Sequence, residues 1–247
     1  MKKIITLMLC AFTISSFAQK IEYIDDDGIK TQKAKAASFR KIYTDSIRGK
    51  SILIKKYNLN EILLEEGYYK KNNHKIKHGE TKEYYLNGAI KYKLNYNENK
   101  LDGEIFGYDS TGTLRRRDIY KLDSVVTGRC YTSTGKDTSY FPIIVLPKFN
   151  GEDHSKIHSY IKTKVEYPIQ ALQEKRQGIV LVRFTINKEG RVCKTKIIRS
   201  YTNSDLLDNE AIRVVNESSI FWEAGYIEGK KADISFAIPI KFELNQN

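Results

Sequence analysis

The feature that most constrains this sequence is an alternating run close to its carboxyl end, over residues 232–244. Every second residue of the run is apolar: Ala232, Ile234, Phe236, Ile238, Ile240, Phe242 and Leu244. Because side chains along a strand point alternately to opposite faces, the run predicts a long strand with one fully apolar face. Pro239 cannot donate a backbone hydrogen bond, so the strand is expected at a sheet edge or with a bulge.

The residues before this run predict the elements that cover its apolar face. A short helix is expected after Pro168, which suits a first helical turn, and Gly178 is expected to end it. Alternating strands follow over residues 179–186 and 191–199. Ser204 offers an N-cap oxygen for a second helix, whose apolar residues recur at helical spacing. The order predicts an α+β fold of helix, strand, strand, helix and long edge strand.

Together, these residues resemble the TonB C-terminal domain family over about residues 145–244. The matching positions are spread along the domain: Tyr167, Pro168, Ala171, Gly178, Val180, Phe184, Gly190, Val192, Leu207, Ala211, Val214, Trp222, Gly225, Gly229, Lys230, Pro239 and Phe242. The resemblance implies a two-helix, three-stranded antiparallel domain of order αββαβ, assigned here to residues 142–247. Lys162 and Thr163 stand where well-studied members have Gln-Pro, which bears on the choice of receptor.

The resemblance also implies a partner, because this family is thought to capture a short extended segment of outer-membrane TonB-dependent transporters beside its last strand. Binding would then be strand addition, in which backbone hydrogen bonds supply affinity and alternate side chains supply selectivity. We place the contact on outward residues of the last strand and on the Tyr-Pro pair: Asp233, Ser235, Ala237, Lys241, Tyr167 and Pro168. In the alternative, the edge is closed by the protein's own chain or by a second copy in a homodimer.

The segment before this domain, residues 19–141, repeats itself. The stretch "HGETKEYYLNGAIK" realigns with "LDGEIFGYDSTGTLR", which places Gly79 over Gly103 and Gly88 over Gly112, both 24 residues apart. Each unit predicts two short strands joined by a turn that needs positive φ, which is an antiparallel β-hairpin. Stacked hairpins of this kind share one core.

Two further copies are weaker. One places Gly135 at the turn, 23 residues after Gly112, and an eroded copy upstream places Asn60 there. The recurring G-E-x-x-x-Y-Y-x-N-G pattern resembles the MORN-like repeats of bacterial envelope proteins. The sequence therefore predicts hairpin repeats followed by a TonB C-terminal-type domain.

Charge separates the two segments. The formal net charge of +12 comes from 42 Lys and Arg against 30 Asp and Glu. Residues 19–150 hold 25 basic and 17 acidic residues, a net of +8, with 13 of the 17 tyrosines, whereas residues 151–247 hold 15 and 13, a net of +2. The repeats suit either an exposed face for anionic lipid, peptidoglycan or a protein, or a scaffold whose lysines keep edge strands soluble. The alternative function is a structural envelope protein with a C-terminal dimerisation or docking module.

The first 18 residues predict a cleavable signal peptide. Lys2 and Lys3 precede an apolar stretch over residues 4–18, and cleavage is expected after Ala18. As a helix this stretch measures about 22 Å, short of the roughly 30 Å hydrocarbon core. We therefore expect a periplasmic protein, with an uncleaved inner-membrane anchor as the alternative. No nucleic acid partner is expected for an exported protein.

Catalytic chemistry is not indicated. The sequence contains no recognisable nucleophile–base constellation and no phosphate-binding glycine loop. His154 and His158 have the spacing of a helical face, but no further His or Cys completes a metal site, so neither metal nor cofactor is expected. Cys130 and Cys193 lie in different predicted domains, which argues against a disulfide, and Cys193 is expected to be a small buried hydrophobe. The protein is therefore expected to be non-enzymatic.

Overall fold

The structure is a computed structural model that describes residues 19–26, 29–44 and 51–244. The predicted signal peptide, residues 1–18, lies outside the described residues. The chain divides into two compact units, Met1–Tyr140 and Phe141–Asn247, and no sheet contains strands of both.

The first unit is a twelve-stranded antiparallel sheet whose spatial order largely follows the chain. Its strands are β1 (Gln19–Ile24), β2 (Lys30–Thr31), β3 (Ser38–Thr44), β4 (Ser51–Asn58), β5 (Leu63–Lys70), β6 (Asn73–Tyr84), β7 (Ile90–Asn97), β8 (Lys100–Leu101), β9 (Gly103–Tyr108), β10 (Leu114–Lys121), β11 (Ser124–Tyr131) and β12 (Asp137–Thr138). The spatial order is β12-β11-β10-β9-β7-β6-β5-β4-β3-β1-β2, with β8 on β7. Most pairings are therefore between strands joined by a short turn.

Three turns of this sheet have the same backbone geometry. Gly88, Gly112 and Gly135 have φ angles of +84°, +88° and +78°. Each N–H donates to the carbonyl oxygen three residues earlier, over 2.9, 3.0 and 3.0 Å respectively. Glycine adopts positive φ without the steric cost of a Cβ, so the sequence period reappears as a period of the backbone.

The eroded upstream copy has the same turn, but Glu61 takes the glycine position with φ +61°, rather than Asn60 as expected. Glu61 donates to the carbonyl oxygen of Asn58 over 3.1 Å. The Asn58 side chain also accepts the N–H groups of Asn60 and Ile62, at 3.0 and 2.9 Å. This asparagine cap sets where the turn begins and moves the positive-φ position one residue along the chain.

The first unit buries one face of its sheet with few large apolar side chains. One row of cross-strand partners runs through Ile42, Ile54, Gly67, Thr81 and Leu94. A Cβ on Gly67 would lie 2.5 Å from the Thr81 hydroxyl oxygen, so only glycine fits there without a shift. The result is a thin, partly polar core.

In its described residues, 141–244, the second unit has three α-helices and eight strands. They are α1 (Ile157–Lys164), α2 (Ile169–Gln173), α3 (Asp205–Glu217), β13 (Ile144–Val145), β14 (Lys148–Phe149), β15 (Gly178–Ile186), β16 (Val192–Ser200), β17 (Trp222–Glu223), β18 (Gly225–Ile227), β19 (Lys230–Ala232) and β20 (Ile234–Phe242). The main sheet has the order β16-β15-β20, and β15 is antiparallel to both neighbours. Its inner face and the three helices share one apolar core.

The helix after Pro168 is shorter than expected. It ends at Gln173 because Lys175 adopts φ +53° and a Schellman closure follows, with Arg176 N–H donating to the Ala171 carbonyl oxygen over 2.9 Å. Gly178 instead begins β15. A Cβ there would lie 2.4 Å from the Tyr201 carbonyl oxygen, so this glycine permits close strand contact rather than ending the helix.

A bulge in β16 changes which face carries Cys193. Lys194 adopts φ +52°, and the pairing with β15 shifts at this point. Cys193 consequently pairs with Thr185, while Thr195 donates its hydroxyl to Asn216 on α3 over 2.6 Å. Cys193 is half-buried rather than buried, and neither Cys130 nor Cys193 is part of a disulfide.

Among the residues that the structure describes, no helix combines the length and apolar character required to span a bilayer.

Candidate partner-binding edge

The last strand, β20, is an edge strand of the main sheet. It pairs with β15 from Ile186↔Ile234 to Gly178↔Phe242 without a register shift. Within residues 141–244, no named strand pairs with its other side, which we call the β20 edge. The strand is also shorter than the expected 232–244, because Ala232 pairs with Gly225 in the neighbouring small sheet.

Pro239 indicates which backbone groups point outward at the β20 edge. N–H groups along an antiparallel strand point alternately toward and away from the partner strand. Pro239 has no N–H to donate, and the pairing of β20 with β15 is continuous. We therefore place the Pro239 nitrogen on the side away from β15, where no hydrogen bond of the ladder is lost. Ser235, Ala237 and Lys241 lie two or four residues from Pro239, so their N–H groups share that outward direction.

The side chains of β20 divide cleanly between the two faces of the sheet. Ile234, Ile238, Ile240 and Phe242 are 7%, 5%, 1% and 2% exposed and pack into or beside the core. Ser235, Ala237 and Lys241 lie on the opposite, exposed face. The apolar face holds the strand in place, so the backbone of the β20 edge is presented by a fixed element.

Polar contacts organise the exposed face at both ends of β20. The hydroxyl oxygens of Ser235 and Thr185 lie 2.8 Å apart across the strand pair. Asp233, just before β20, is 3.7 Å from the ammonium of Lys194, and Lys241 forms a salt bridge with Glu243. These are exposed pairs of small energetic weight.

The Tyr-Pro pair lies at the far end of the strand. The Tyr167 ring is 5.9 Å from the Phe242 ring, edge to face at 89°, and its hydroxyl donates to the Arg176 carbonyl oxygen. Burial of the phenol raises the pKa of Tyr167. Pro168 is the N-cap residue of α2, with φ −59°. The structure therefore places Tyr167 beside the carboxyl end of β20.

An ion pair between the buried Glu210 carboxylate and the partly exposed Arg213 fixes the segment that leads into this Tyr-Pro pair. Glu210 on α3 is 8% exposed, accepts the Glu166 N–H over 2.6 Å and binds the Arg213 guanidinium at 2.7 Å. Arg213 also donates to the Lys164 carbonyl oxygen over 3.1 Å. The sequence analysis missed this clamp, although an acidic residue among the apolar positions of α3 could have indicated it.

The six predicted residues do not form one cluster. Ser235, Ala237 and Lys241 share one face of β20, Asp233 precedes the strand, and Tyr167 and Pro168 flank its end. At about 3.3 Å per residue, Asp233 and Lys241 are roughly 26 Å apart along the strand. The arrangement is a line, which suits an extended ligand better than a compact one.

His154, one of the two histidines considered as ligands, has other contacts. His154 stacks on Phe236, with ring centroids 5.2 Å apart, and lies 3.4 Å from the Asp153 carboxylate. No group of three or more His, Cys, Asp or Glu side chains with the geometry of a metal site occurs in the described part of the chain.

Within residues 141–244, the second unit is thus a small domain whose last strand has one side without a strand partner. Residues 163–244, a third of the chain, match the family model described as Gram-negative bacterial TonB protein C-terminal. The expected resemblance to this family is therefore confirmed for residues 163–244, and the MORN-like repeats have no such support.

Curated relatives point to the same family. Protein TonB of Helicobacter pylori strain ATCC 700392 / 26695 is 30% identical over 101 residues, covering 41% of this chain and 33% of the relative. Protein TonB of strain J99 / ATCC 700824 is also 30% identical over 101 residues, covering 41% and 34%. The chain therefore spans about a third of the length of these relatives.

Two solved structures are also similar. They are NMR solution structures of Helicobacter pylori TonB-CTD, each 29% identical and each covering 38% of this chain. The alignments cover 81% and 95% of those chains, with TM-scores of 0.32 and 0.31.

Proposed function

We propose that the second unit is a TonB-like docking domain that binds an extended peptide segment of outer-membrane transporters by strand addition to the β20 edge, in support of envelope transport. The single observation that carries this proposal is that β20 is paired along one side only and held by an apolar face. Exposed strand edges are aggregation hazards unless a partner uses them. The match of residues 163–244 to the family supports the same role.

The energetics of the edge suit a modest, peptide-sized interface. Each new backbone hydrogen bond contributes about 0.5–1.5 kcal/mol net. Ser235, Ala237 and Lys241 would donate outward, and Pro239 interrupts the row once. Side chains of the peptide would alternate between the exposed face and the side near Tyr167 and Phe242, where selectivity would arise.

Further parts of the proposal concern the whole chain. We assign residues 1–18 to a cleaved signal peptide, 19–141 to MORN-like repeats and 142–247 to the docking domain of a non-catalytic periplasmic protein. The alternative function is a structural envelope protein, in which the repeats contact peptidoglycan or anionic lipid and the β20 edge pairs with a second copy. Concentration-dependent dimerisation through β20 would favour this alternative.

The test uses the full chain and peptides from the N-terminal segments of outer-membrane transporters. Ala237→Pro removes an outward N–H, whereas the control Ala237→Thr changes the side chain and keeps that N–H. We expect Ala237→Pro to weaken binding at least about tenfold, equivalent to about 1.4 kcal/mol, and Ala237→Thr to change it little. Unfolding followed by Trp222 fluorescence checks that each variant folds. A folded Ala237→Pro variant that binds normally refutes strand addition at this edge.

A further inference from the structure

One row of side chains crosses eight neighbouring strands of the first unit at right angles to them. Each member is the direct cross-strand partner of the next, from β3 to β11: Lys41, Lys55, Glu66, Lys82, Lys93, Phe106, Arg117 and Arg129. Directly paired residues of a sheet point to the same face, so the whole row lies on one face. We call it the transverse row.

The transverse row is long and strongly cationic. Neighbouring strands lie about 4.8 Å apart, so eight strands give a row of roughly 34 Å. Six of its eight members are Lys or Arg, and Glu66 is its only acid. The buried residues Ile42, Ile54 and Leu94 lie on the opposite face. The side chains of Lys55, Lys82 and Arg117 in the row are 29%, 30% and 54% exposed.

Among the described residues, three of the six cations in the transverse row have no carboxylate partner within salt-bridge distance. Glu66 lies 3.0 Å from Lys55 and 3.8 Å from Lys82, and Arg117 lies 2.6 Å from Glu104, which is outside the row. Within the residues that the structure describes, Lys41, Lys93 and Arg129 form no salt bridge. Their charges therefore remain available to an external anion.

Aromatic rings accompany the unpaired cations. The Lys41 ammonium lies 5.0 Å from the centroid of the Tyr57 ring, and the Lys93 ammonium lies 5.9 Å from that of Tyr108. These contacts orient the ammonium groups along the surface and place apolar ring surface beside them. A ligand on the row would meet alternating positive charge and aromatic surface.

We infer that the transverse row binds a linear acidic glycan laid across the strands. Its acidic groups would pair with Lys41, Lys93 and Arg129, and the neighbouring aromatic surface would contact the apolar faces of its sugar rings. The inference concerns the first unit and does not depend on strand addition in the second.

Two features favour a flexible polymer over a membrane surface. Adjacent strands twist by about 20–25°, which accumulates to roughly 150° over seven steps, so a flat bilayer could not meet all six cations. Glu80 and Glu104, with side chains 47% and 45% exposed, flank the row on the same face. An anionic membrane would place headgroups against these carboxylates, whereas a single chain could follow the cations alone.

The test measures binding of the full chain to polygalacturonate, which has one carboxylate per sugar, with neutral dextran as the glycan control. Lys93→Gln combined with Arg129→Gln removes two unpaired charges from the row. The matched control, Lys71→Gln combined with Lys136→Gln, removes two exposed turn charges outside it. None of these four side chains forms a salt bridge in the described structure, so both variants are expected to fold.

We expect the native chain to bind polygalacturonate at low salt, to bind dextran far less, and to lose affinity between about 50 and about 200 mM salt. The row variant should bind about tenfold more weakly and depend less steeply on salt, and the turn variant should match the native chain. Equal losses in both variants would overturn the inference. So would the absence of glycan binding at low salt, or retention by phosphatidylglycerol vesicles but not by polygalacturonate.

Discussion

In the second unit, Val180, Val182, Phe184 and Ile186 of β15 are completely buried beneath three helices. The cross-strand row at the centre of the first unit instead contains Gly67 and the Thr81 hydroxyl, with no helical layer packed on it in residues 51–140. Both units contain antiparallel sheets, but the side chains buried against those sheets differ in chemical type. The second unit depends on apolar packing, whereas the first depends on a long ladder, repeated turns and charged contacts.

This difference matters for function because the residues that stabilise each unit are not the residues proposed to bind a partner. The second unit can leave the β20 edge without a strand partner because side chains on the apolar face of the same strand complete its core. The first unit places its charges on the surface of a thin sheet, where salt and pH act on them directly. Core substitutions, salt and pH should therefore change the stability of the two units by different amounts.

The largest expected effect is the removal of a core ring in the second unit. Phe184→Ala should lower the free energy of unfolding of this unit by about 3–5 kcal/mol, because the cavity cannot be refilled. Trp222 is the only tryptophan, and its ring is 5.8 Å from Phe184, so its fluorescence in denaturant reports this unit alone. Leu172→Ala, at a side chain 50% exposed, is the control and should cost less than about 1 kcal/mol. If Phe184→Ala lowered the free energy of unfolding by less than Leu172→Ala does, apolar packing around Phe184 would not be what stabilises the second unit.

A smaller effect should follow from the buried clamp. Glu210→Ala leaves the Glu166 N–H and part of Arg213 without a partner and should cost about 2–3 kcal/mol. Glu217 accepts from the same guanidinium over 2.6 Å, but its side chain is 53% exposed, so Glu217→Ala should cost about 0.3–0.5 kcal/mol. Denaturant unfolding monitored by Trp222 gives both values. Equal losses of unfolding free energy in the two variants would mean that burial of the Glu210 carboxylate adds nothing to stability.

A third effect concerns acid and the first unit. Burial by itself raises the pKa of Glu22, but hydrogen bonds from Arg40 and Lys20 outweigh it and lower the pKa from about 4.5 to about 2. Because the folded-state pKa is depressed, Glu22 stabilises the fold above pH 4.5, and this contribution is lost as the pH falls toward 2.

Thermal unfolding followed by tyrosine near-UV circular dichroism tests this effect, since 13 of the 17 tyrosines lie in residues 19–150. The native chain should be more stable than Glu22→Gln above pH 4.5, and the difference should shrink toward pH 2. A difference that is constant with pH would exclude a role for this carboxylate charge.

The two units also differ in how far the sequence predicted them. Period-two alternation predicted the apolar face of β20, and Pro239 predicted its edge position, because both follow from local rules of strands. The bulge at Lys194 and the helix end at Lys175 were missed, since each places a lysine at positive φ, where local preference favours glycine. Pairing with β15 accompanies the bulge at Lys194, and a local Schellman closure accompanies the helix end at Lys175.

The candidate residues show the same limit. The alternation of apolar and polar residues was sufficient to choose Ser235, Ala237 and Lys241 as outward residues, because all three lie on one strand. The Glu210 clamp joins residues 44 positions apart, and the transverse row depends on the register of eight strands. Glu210 among the apolar positions of α3 indicates a buried acid but not its partners, and strand register follows from turn lengths and bulges that a single sequence does not specify.

The central claim, that the β20 edge is open and takes up a partner strand, is tested most directly by amide hydrogen exchange at single residues. In the free protein, the N–H groups of Ser235, Ala237 and Lys241 should exchange quickly, while those of Phe236 and Ile240, which face β15, should be protected. A saturating transporter peptide should slow exchange at Ser235, Ala237 and Lys241 and leave the outer edge of β16 unchanged. Protection of these three amides before any peptide is added, or no added protection with bound peptide, would contradict the account.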